Sequence, residues 1–459
     1  MIRFKSNLFA ILLLLVSQTS ISQTSKAYKL RSPDKRTGAE FAVDKHGTLQ
    51  YTVKYNNKTV ITWSDLGLEL SNGFIGKETV ITNSAIRKHS EKFAWTFGES
   101  QFVENKYNEI NLECISGSFK FNLLARVFNG SVAFKYVLQV QADRKDFVIK
   151  KELTSFNFTQ AYKIYQYHHE SVFTPTNIDS LGTTCDFPAT LTDGKFYISI
   201  GEAANFDFTK AELGKGNQPN SLNVVFARDK EVKYSSSFET PWRTASFSET
   251  AVGLHKYSDL FLRLSPAPAE GVVASIQPGK LIRSQLTTQD GLDCVTFAKR
   301  MNFKYIMFDA GWYGPERALS SDPRKPIPQI DLSKVIQYGK ENGVGVILYV
   351  NYIGLQNYLD EILPLYRQWG VAGMKFGFID GFSQKGLTWL SSAIKKVNDF
   401  GLVLNIHDNY KPTGLSRTFP ALLTQEGIRG DENSPDAFHT TTLPYTRFLA
   451  GAADFTYCF

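Results

Sequence analysis

Acidic side chains and one histidine recur in this sequence where short apolar runs give out. Asp309-Ala-Gly-Trp312 closes the run YIMF, Asn351 closes VGVILYV, and Asp380 follows GMKFGF. The pair His407-Asp408 closes GLVLNI, and Glu426 and Glu432 lie within LLTQEGIRGDE. Several carboxylates with aromatic neighbours are what glycosidic cleavage needs. One carboxyl group protonates the leaving oxygen, a second activates water or attacks, and rings stack on the sugar face. No Cys–His pair, Gly-x-Ser-x-Gly elbow or Gly-rich cofactor fingerprint competes with this set. Asp408-Asn409 is also good turn chemistry, and Glu432 in GDENSP also reads as a solvated loop acid.

The elements that must position these residues come in two textures. From about Ala27 to Pro266 the pattern is β: GTLQYTVKYNNKTVITW alternates around Asn56-Asn57, and FKFNLLARVFNGSVAFKYVLQV does so around Asn129-Gly130. Both read as antiparallel hairpins, and the whole as a large sandwich. After about Gly279, short apolar runs alternate with helical spacing over Gly291–Met301, Leu332–Asn342, Leu355–Trp369 and Leu387–Phe400. Three of these helices end in ENG, QWG or DFG, a glycine stop before the next strand. Repetition of strand, helix and glycine predicts a (β/α)8 TIM-type barrel, whose chemistry sits at the C-terminal strand ends. Seven strands are expected: 281–283, 305–309, 346–350, 374–378, 403–406, 422–424 and 453–456. A closed barrel has eight, so a chain lacking its last βα unit is expected.

The 459 residues suffice for more than one domain without disulfide support. Cys114, Cys185, Cys294 and Cys458 are scattered, with no metal-ligand spacing, and are expected as independent thiols. The start, MIRFKSNLFAILLLLVSQTSISQ, has a basic head, an apolar stretch from Leu8 to Val16 and small residues near Ser22. It reads as a secretory signal, because a membrane span needs roughly 20 apolar residues. The formal charge of +7 is spread along the chain without a basic run, which argues against nucleic-acid partners.

The motifs YIMFDAGWYG, GMKFGFID, NIHDNYKPTGLSRTFPALLTQEGIRGDE and TTLPYTRFLAGAADFTYCF resemble glycoside hydrolase family 97. The order of signal, β-super-sandwich and barrel resembles that family too. The resemblance implies a signal over 1–22, a sandwich over 23–270 and a catalytic barrel over 271–459 without its last unit or a C-terminal β domain. It implies a calcium-dependent, exo-acting α-glucosidase or α-galactosidase, secreted to the bacterial periplasm and acting on oligosaccharides or simple α-glycosides. By resemblance Glu432 is the general acid and Asp408 the base. Glu170, Asp408, Glu426 and Glu432 surround the Ca2+, and His407 contacts substrate. Asp309 and Trp312 are candidates for sugar contact or, equally, for structure, with Asp309 holding Arg283. Gly377 stands where retaining members carry an aspartate nucleophile, so inversion is expected. A carbohydrate-binding relative without activity and a retaining α-galactosidase are the alternatives.

Overall fold

The computed structural model describes residues 26–95, 97–139, 146–269, 276–407 and 410–455; the signal-like start and Cys458 lie outside them. Between Tyr28 and Ser248 the described chain forms a ten-stranded antiparallel sheet and three four-stranded ones. Strand Phe119–Phe128 shows why: Phe121, Leu123, Ala125 and Val127 alternate into the core while their neighbours stay partly wet. The Asn56-Asn57 hairpin is present, with Tyr55 paired to Lys58. Both asparagines take positive φ, at 49° and 62°, as a tight two-residue turn between twisted strands demands. Cys114 and Cys185 are buried free thiols, and Cys294 is a half-buried one.

After two short helices, Ala251–His255 and Leu260–Leu264, the texture becomes parallel. Six strands lie side by side in chain order: Leu281–Ser284, Tyr305–Phe308, Gly345–Asn351, Gly373–Gly377, Val403–Ile406 and Leu422–Gln425. Helices Thr288–Arg300, Leu332–Asn342, Tyr352–Trp369 and Gln384–Asp399 connect the first five. This is the expected sandwich followed by an incomplete (β/α)8 barrel. The seventh expected strand differs: residues 453–455 carry no strand pairing, and Thr456 lies outside the described residues. Strands covered on both faces are buried throughout, as in Val403–Ile406. Gly343, Gly370 and Gly401 sit at φ 70°, 83° and 65°, the left-handed stop read from ENG, QWG and DFG. Each helix also starts on a side-chain cap. Thr287, Asp331, Asn351 and Ser383 each accept an amide hydrogen bond from three residues on.

Each half has its own core, and a few residues cross between them. Ile428 and Leu443, beyond the last barrel strand, are buried among the sandwich residues. Phe97, near the tip of a long sandwich hairpin, packs with Met307, Ile347 and Val403 inside the barrel. Polar contacts reinforce the seam: Ala204 N donates to Thr413 O at 2.7 Å and Lys210 N to Phe382 O at 2.9 Å.

A buried ionic chain runs across the same seam. Arg243 holds Glu152 through two nitrogens, at 2.9 and 2.6 Å, and Glu202 through a third. The other Glu202 oxygen lies 3.3 Å from Lys411 Nζ on the loop that follows His407. Arg243, Glu152 and Glu202 have side chains at most 1% exposed. Removing the guanidinium leaves Glu152 without a cation and Glu202 with Lys411 alone in a low-dielectric interior, which costs on the order of 3–5 kcal/mol. Arg243→Met is therefore expected to lower the unfolding free energy, measured by urea titration, by that amount. A change within about 0.5 kcal/mol, the size of an ordinary surface substitution, overturns this reading.

Candidate active site

Strand parity selects the residues at the barrel mouth. Met307, Ile347 and Val403 point into the barrel, so Asp309, Tyr349, Asn351, Lys375, Gly377 and His407 belong to the same inward rows. Lys375, only 1% exposed, lies 3.5 Å from Asp309 Oδ2, and Arg283 approaches the same oxygen at 3.9 Å. The Arg283 partnership expected for Asp309 is present.

His407 is the hub. Its Nδ1 lies 2.6 Å from Glu426 Oε2 and 3.8 Å from Asp454 Oδ2. Burial alone would make the imidazolium less stable, but hydrogen bonds with Asp454 and Glu426 overcome it and push the pKa up to about 10. Burial raises Asp454, yet His407 and Lys375 together hold its carboxyl below the usual range. Glu426 is fully buried, and its backbone is fixed on both sides. Its N–H donates to Ile406 O at 3.0 Å, and buried Arg447 donates to the carbonyls of Gln425 and Glu426, at 2.7 and 2.5 Å.

The sandwich supplies another wall. Glu170 Oε1 lies 3.1 Å from His169 Nε2, and its carboxyl group also hydrogen-bonds Glu426. Burial pushes the Glu170 pKa up; His169, then His407, bring it below the ordinary value. His169 holds a left-handed φ of 35°, uncommon for a side chain of its size. Its N–H donates to Asp186 Oδ2 at 2.7 Å, and Asp186 in turn binds Lys210 Nζ at 2.6 Å. His168, Asp186 and Glu212 resemble a metal cage in composition, but Lys210 already supplies their positive charge, 3.0 Å from Glu212.

Glu432 completes the cluster from the single turn Asp431–Asn433. It is exposed, and one ligand atom each from His407, Glu426 and Glu432 all lie within 4.8 Å of one another. Arg429 donates to Asn433 O at 2.7 Å and braces that turn. The structure thus gathers Glu170, His407, Glu426 and Glu432; Asp408 lies outside the described residues.

Three strand-end positions serve the scaffold. Trp312 is fully buried, T-stacked on Tyr313, with its Nε1 donating to Tyr349 O at 2.6 Å. It packs the helix-facing core and is not a platform for sugar, because a donor-bearing ring finds both apolar cover and a carbonyl there. Asp380 lies beyond the strand end at Gly377 and accepts from the backbone N–H of Phe382 and Ser383 at 3.0 Å each, so it builds a turn. The site at Gly377 is not open space. A Cβ there would sit 2.3 Å from both the ring and the hydroxyl of Tyr349. That hydroxyl donates to Glu316 Oε1 at 3.2 Å, which also accepts from Asn351 Nδ2 at 2.6 Å.

Sequence reasoning passed over Lys375, Asp454, Lys411 and Glu316. Lys375 carried a readable sign, a lone charge in the buried run GMKFG. Asp454 reaches the site, and Lys411 the seam behind it, through tertiary folding alone.

Known proteins agree with this architecture. A profile described as Glycosyl-hydrolase 97 N-terminal matches residues 30–266, and one described as Glycoside hydrolase 97 matches residues 272–428. A protein of Streptomyces bingchenggensis named a probable retaining α-galactosidase is 25% identical, over 89% of this chain and 66% of its own length. A retaining α-galactosidase of Bacteroides thetaiotaomicron is 24% identical, over 97% of this chain and 75% of its own. The chain therefore spans about two thirds to three quarters of these relatives. A family 97 enzyme from a Pseudoalteromonas species, solved with acarbose, superposes with a TM-score of 0.86 at 24% identity. That match covers 94% of this chain and 74% of the other. The inversion expected from Gly377 is corrected by the two relatives, both named as retaining, and is not carried forward. Glycine still has no group to attack a sugar, so retention in this chain requires a nucleophile from another position. With both profiles matched across the sandwich and the barrel, the chain belongs to glycoside hydrolase family 97.

Proposed function

We propose that this chain hydrolyses terminal α-glycosidic bonds, with α-galactosides as first substrates and α-glucosides as second. The observation that carries the proposal is the convergence of Glu432, Glu426 and Glu170 around His407, with acids from both halves of the fold. The names of the two relatives support the choice of α-galactosides. In this reading Glu432, the solvent-facing acid, delivers a proton to the leaving oxygen. His407 and Asp454 form a fixed charged pair beneath the substrate, and Lys375 and Asp309 extend it across the mouth. Asp408, adjacent to His407 in sequence, is the second carboxylate of the proposal. The leader-like first residues support export to the periplasm.

Calcium is part of the proposal, and the donor set fits it. Glu170 and Glu426 place carboxyl groups in hydrogen-bond contact, one of them fully buried, and such a pair calls for a shared proton or a cation. Oxygen ligands at Glu170, Glu426 and Glu432 suit a hard divalent ion. Asp408 joins them by family resemblance. When bound, the ion would supply positive charge that fixes these oxygens and polarises a sugar hydroxyl or water.

The second reading, a chain that binds sugar without cleaving it, is favoured by Tyr349 filling the space beside Gly377. Activity separates the two. Glu432→Gln is expected to lower kcat on melibiose by about 10²–10⁴-fold, the usual worth of a general acid, and to spare activated aryl α-galactosides. Unchanged turnover of melibiose removes Glu432 from the role. Detectable sugar binding with no turnover by the parent selects the binding-only reading. EDTA is expected to abolish hydrolysis, and calcium to restore it. Independently of activity, calcium at about 100 times its Kd should stabilise the fold by about 2.7 kcal/mol. A thermal midpoint indifferent to calcium and EDTA rejects the metal.

A further inference from the structure

Away from the barrel mouth, the sandwich carries a concavity of about 260 Å³ that the proposed reaction does not use. It is lined by Trp63, Asp65, Lys77, Asn157, Gln218 and Asn223, among others. We propose that this groove is a second carbohydrate-binding site, in which a pyranose stacks on Trp63 and its hydroxyls bond the surrounding amides and Asp65.

Trp63 is the first support. It is 43% exposed, and it is the sole tryptophan among the large exposed apolar side chains of the described residues. Its strand, Lys58–Asp65, is the last of its four-stranded sheet, and the segment 155–158 runs along its outer edge, bridged at Ile61 and Phe158. The backbone that carries the ring is held in place. Asn157 Nδ2 donates to Trp63 O at 2.8 Å, and Asp65 N to Ser155 Oγ at 2.9 Å. An indole carried on a fixed strand at the edge of a concavity offers a flat apolar face without the entropic cost of ordering a loop.

The rest of the lining selects the ligand. Gln50 Nε2 donates to Asp65 Oδ1 at 2.9 Å, which fixes that carboxylate. The amides of Gln218 and Asn223 make no side-chain hydrogen bond among the described residues, so their donors and acceptors are available. Amides and a fixed carboxylate provide paired donors and acceptors, the match for vicinal hydroxyls. Asp65 offsets one of Lys77 and Lys151, and Glu152 is already held by Arg243, so the lining keeps a single excess positive charge, little for an anion beside so many uncharged amides. Leu153 is the lone aliphatic lining residue, which disfavours a lipid or an apolar peptide. The volume falls just below the roughly 300 Å³ at which drug-sized pockets begin, a size for one or two sugar rings. No histidine lines the groove among the described residues, and its two carboxylates are engaged by Gln50 and Arg243, so the groove binds and does not cleave.

The choice of α-linked probes rests on the glycosidase reading; the groove itself does not. Full-length Glu432→Gln protein, with and without Trp63→Ala, is titrated calorimetrically with raffinose and with maltotriose. Trp63→Ala is expected to weaken one binding event about tenfold, as loss of a stacked ring does, with kcat/KM on an aryl α-galactoside unchanged when Glu432 is intact. Gln218→Ala/Asn223→Ala, which leaves the indole in place, is expected to weaken the same event. Superimposable isotherms with and without the Trp63→Ala substitution overturn the proposal, as does a parallel fall in aryl-glycoside turnover. A parent inactive on aryl α-glycosides defeats the glycosidase reading alone, because Trp63-dependent binding is scored separately.

Discussion

The contact between Glu202 and Lys411 is the constraint on which the candidate site depends. Glu202 is anchored from behind by Arg243, so the sandwich presents a fixed negative group to the loop that follows His407. Lys411 is buried, and burial lowers its pKa even though Glu202 works in the opposite direction. Its Nζ also donates to Ala211 O at 3.0 Å. The barrel strand that leads to His407 is thus tied to the sandwich a few residues beyond its end, and the two halves act as one scaffold.

A second tie runs in the other direction. Lys210 neutralises Asp186, Asp186 captures the His169 amide, and His169 turns Glu170 toward Glu426. Each link is a short contact between poorly exposed groups, where hydrogen bonds are stronger and misplacement is costly. The carboxylates therefore converge because two buried ionic clusters hold the loops that bear them. The left-handed backbone at His169 fits the same account: strain persists where surrounding contacts over-determine the conformation.

At the strand ends the barrel divides its labour. Trp312 and Asn351 serve the scaffold, one as a buried core ring and the other as a helix cap that also binds Glu316. Tyr349 fills the space beside Gly377, so the glycine there is a packing requirement as well as a missing functional group. A side chain at 377 would have to displace an aromatic ring hydrogen-bonded to Glu316. This sets the barrel apart from a simple carboxylate-lined cup.

Much of this was legible from residue order. Alternation in FKFNLLARVF, paired asparagines at 56–57 and glycine stops at 343, 370 and 401 are local rules, and each yields the element expected. His407, Glu426 and Glu432 were legible as a group because strand ends and motif spacing place them within a short stretch. Glu170 joined them through family resemblance; the partnership of His407 with Asp454 and the Lys411 tie were not legible, since they join residues far apart in sequence through burial and charge. For Trp312 the sequence left sugar contact and structure equally open, and packing between layers chose structure, because the ring meets a neighbouring carbonyl and not solvent. Sequence by itself determined the elements and the acids available, because backbone preferences and side-chain chemistry are local. Tertiary structure decided which acids meet and which rings are spent on the core, because electrostatics and close packing act through space.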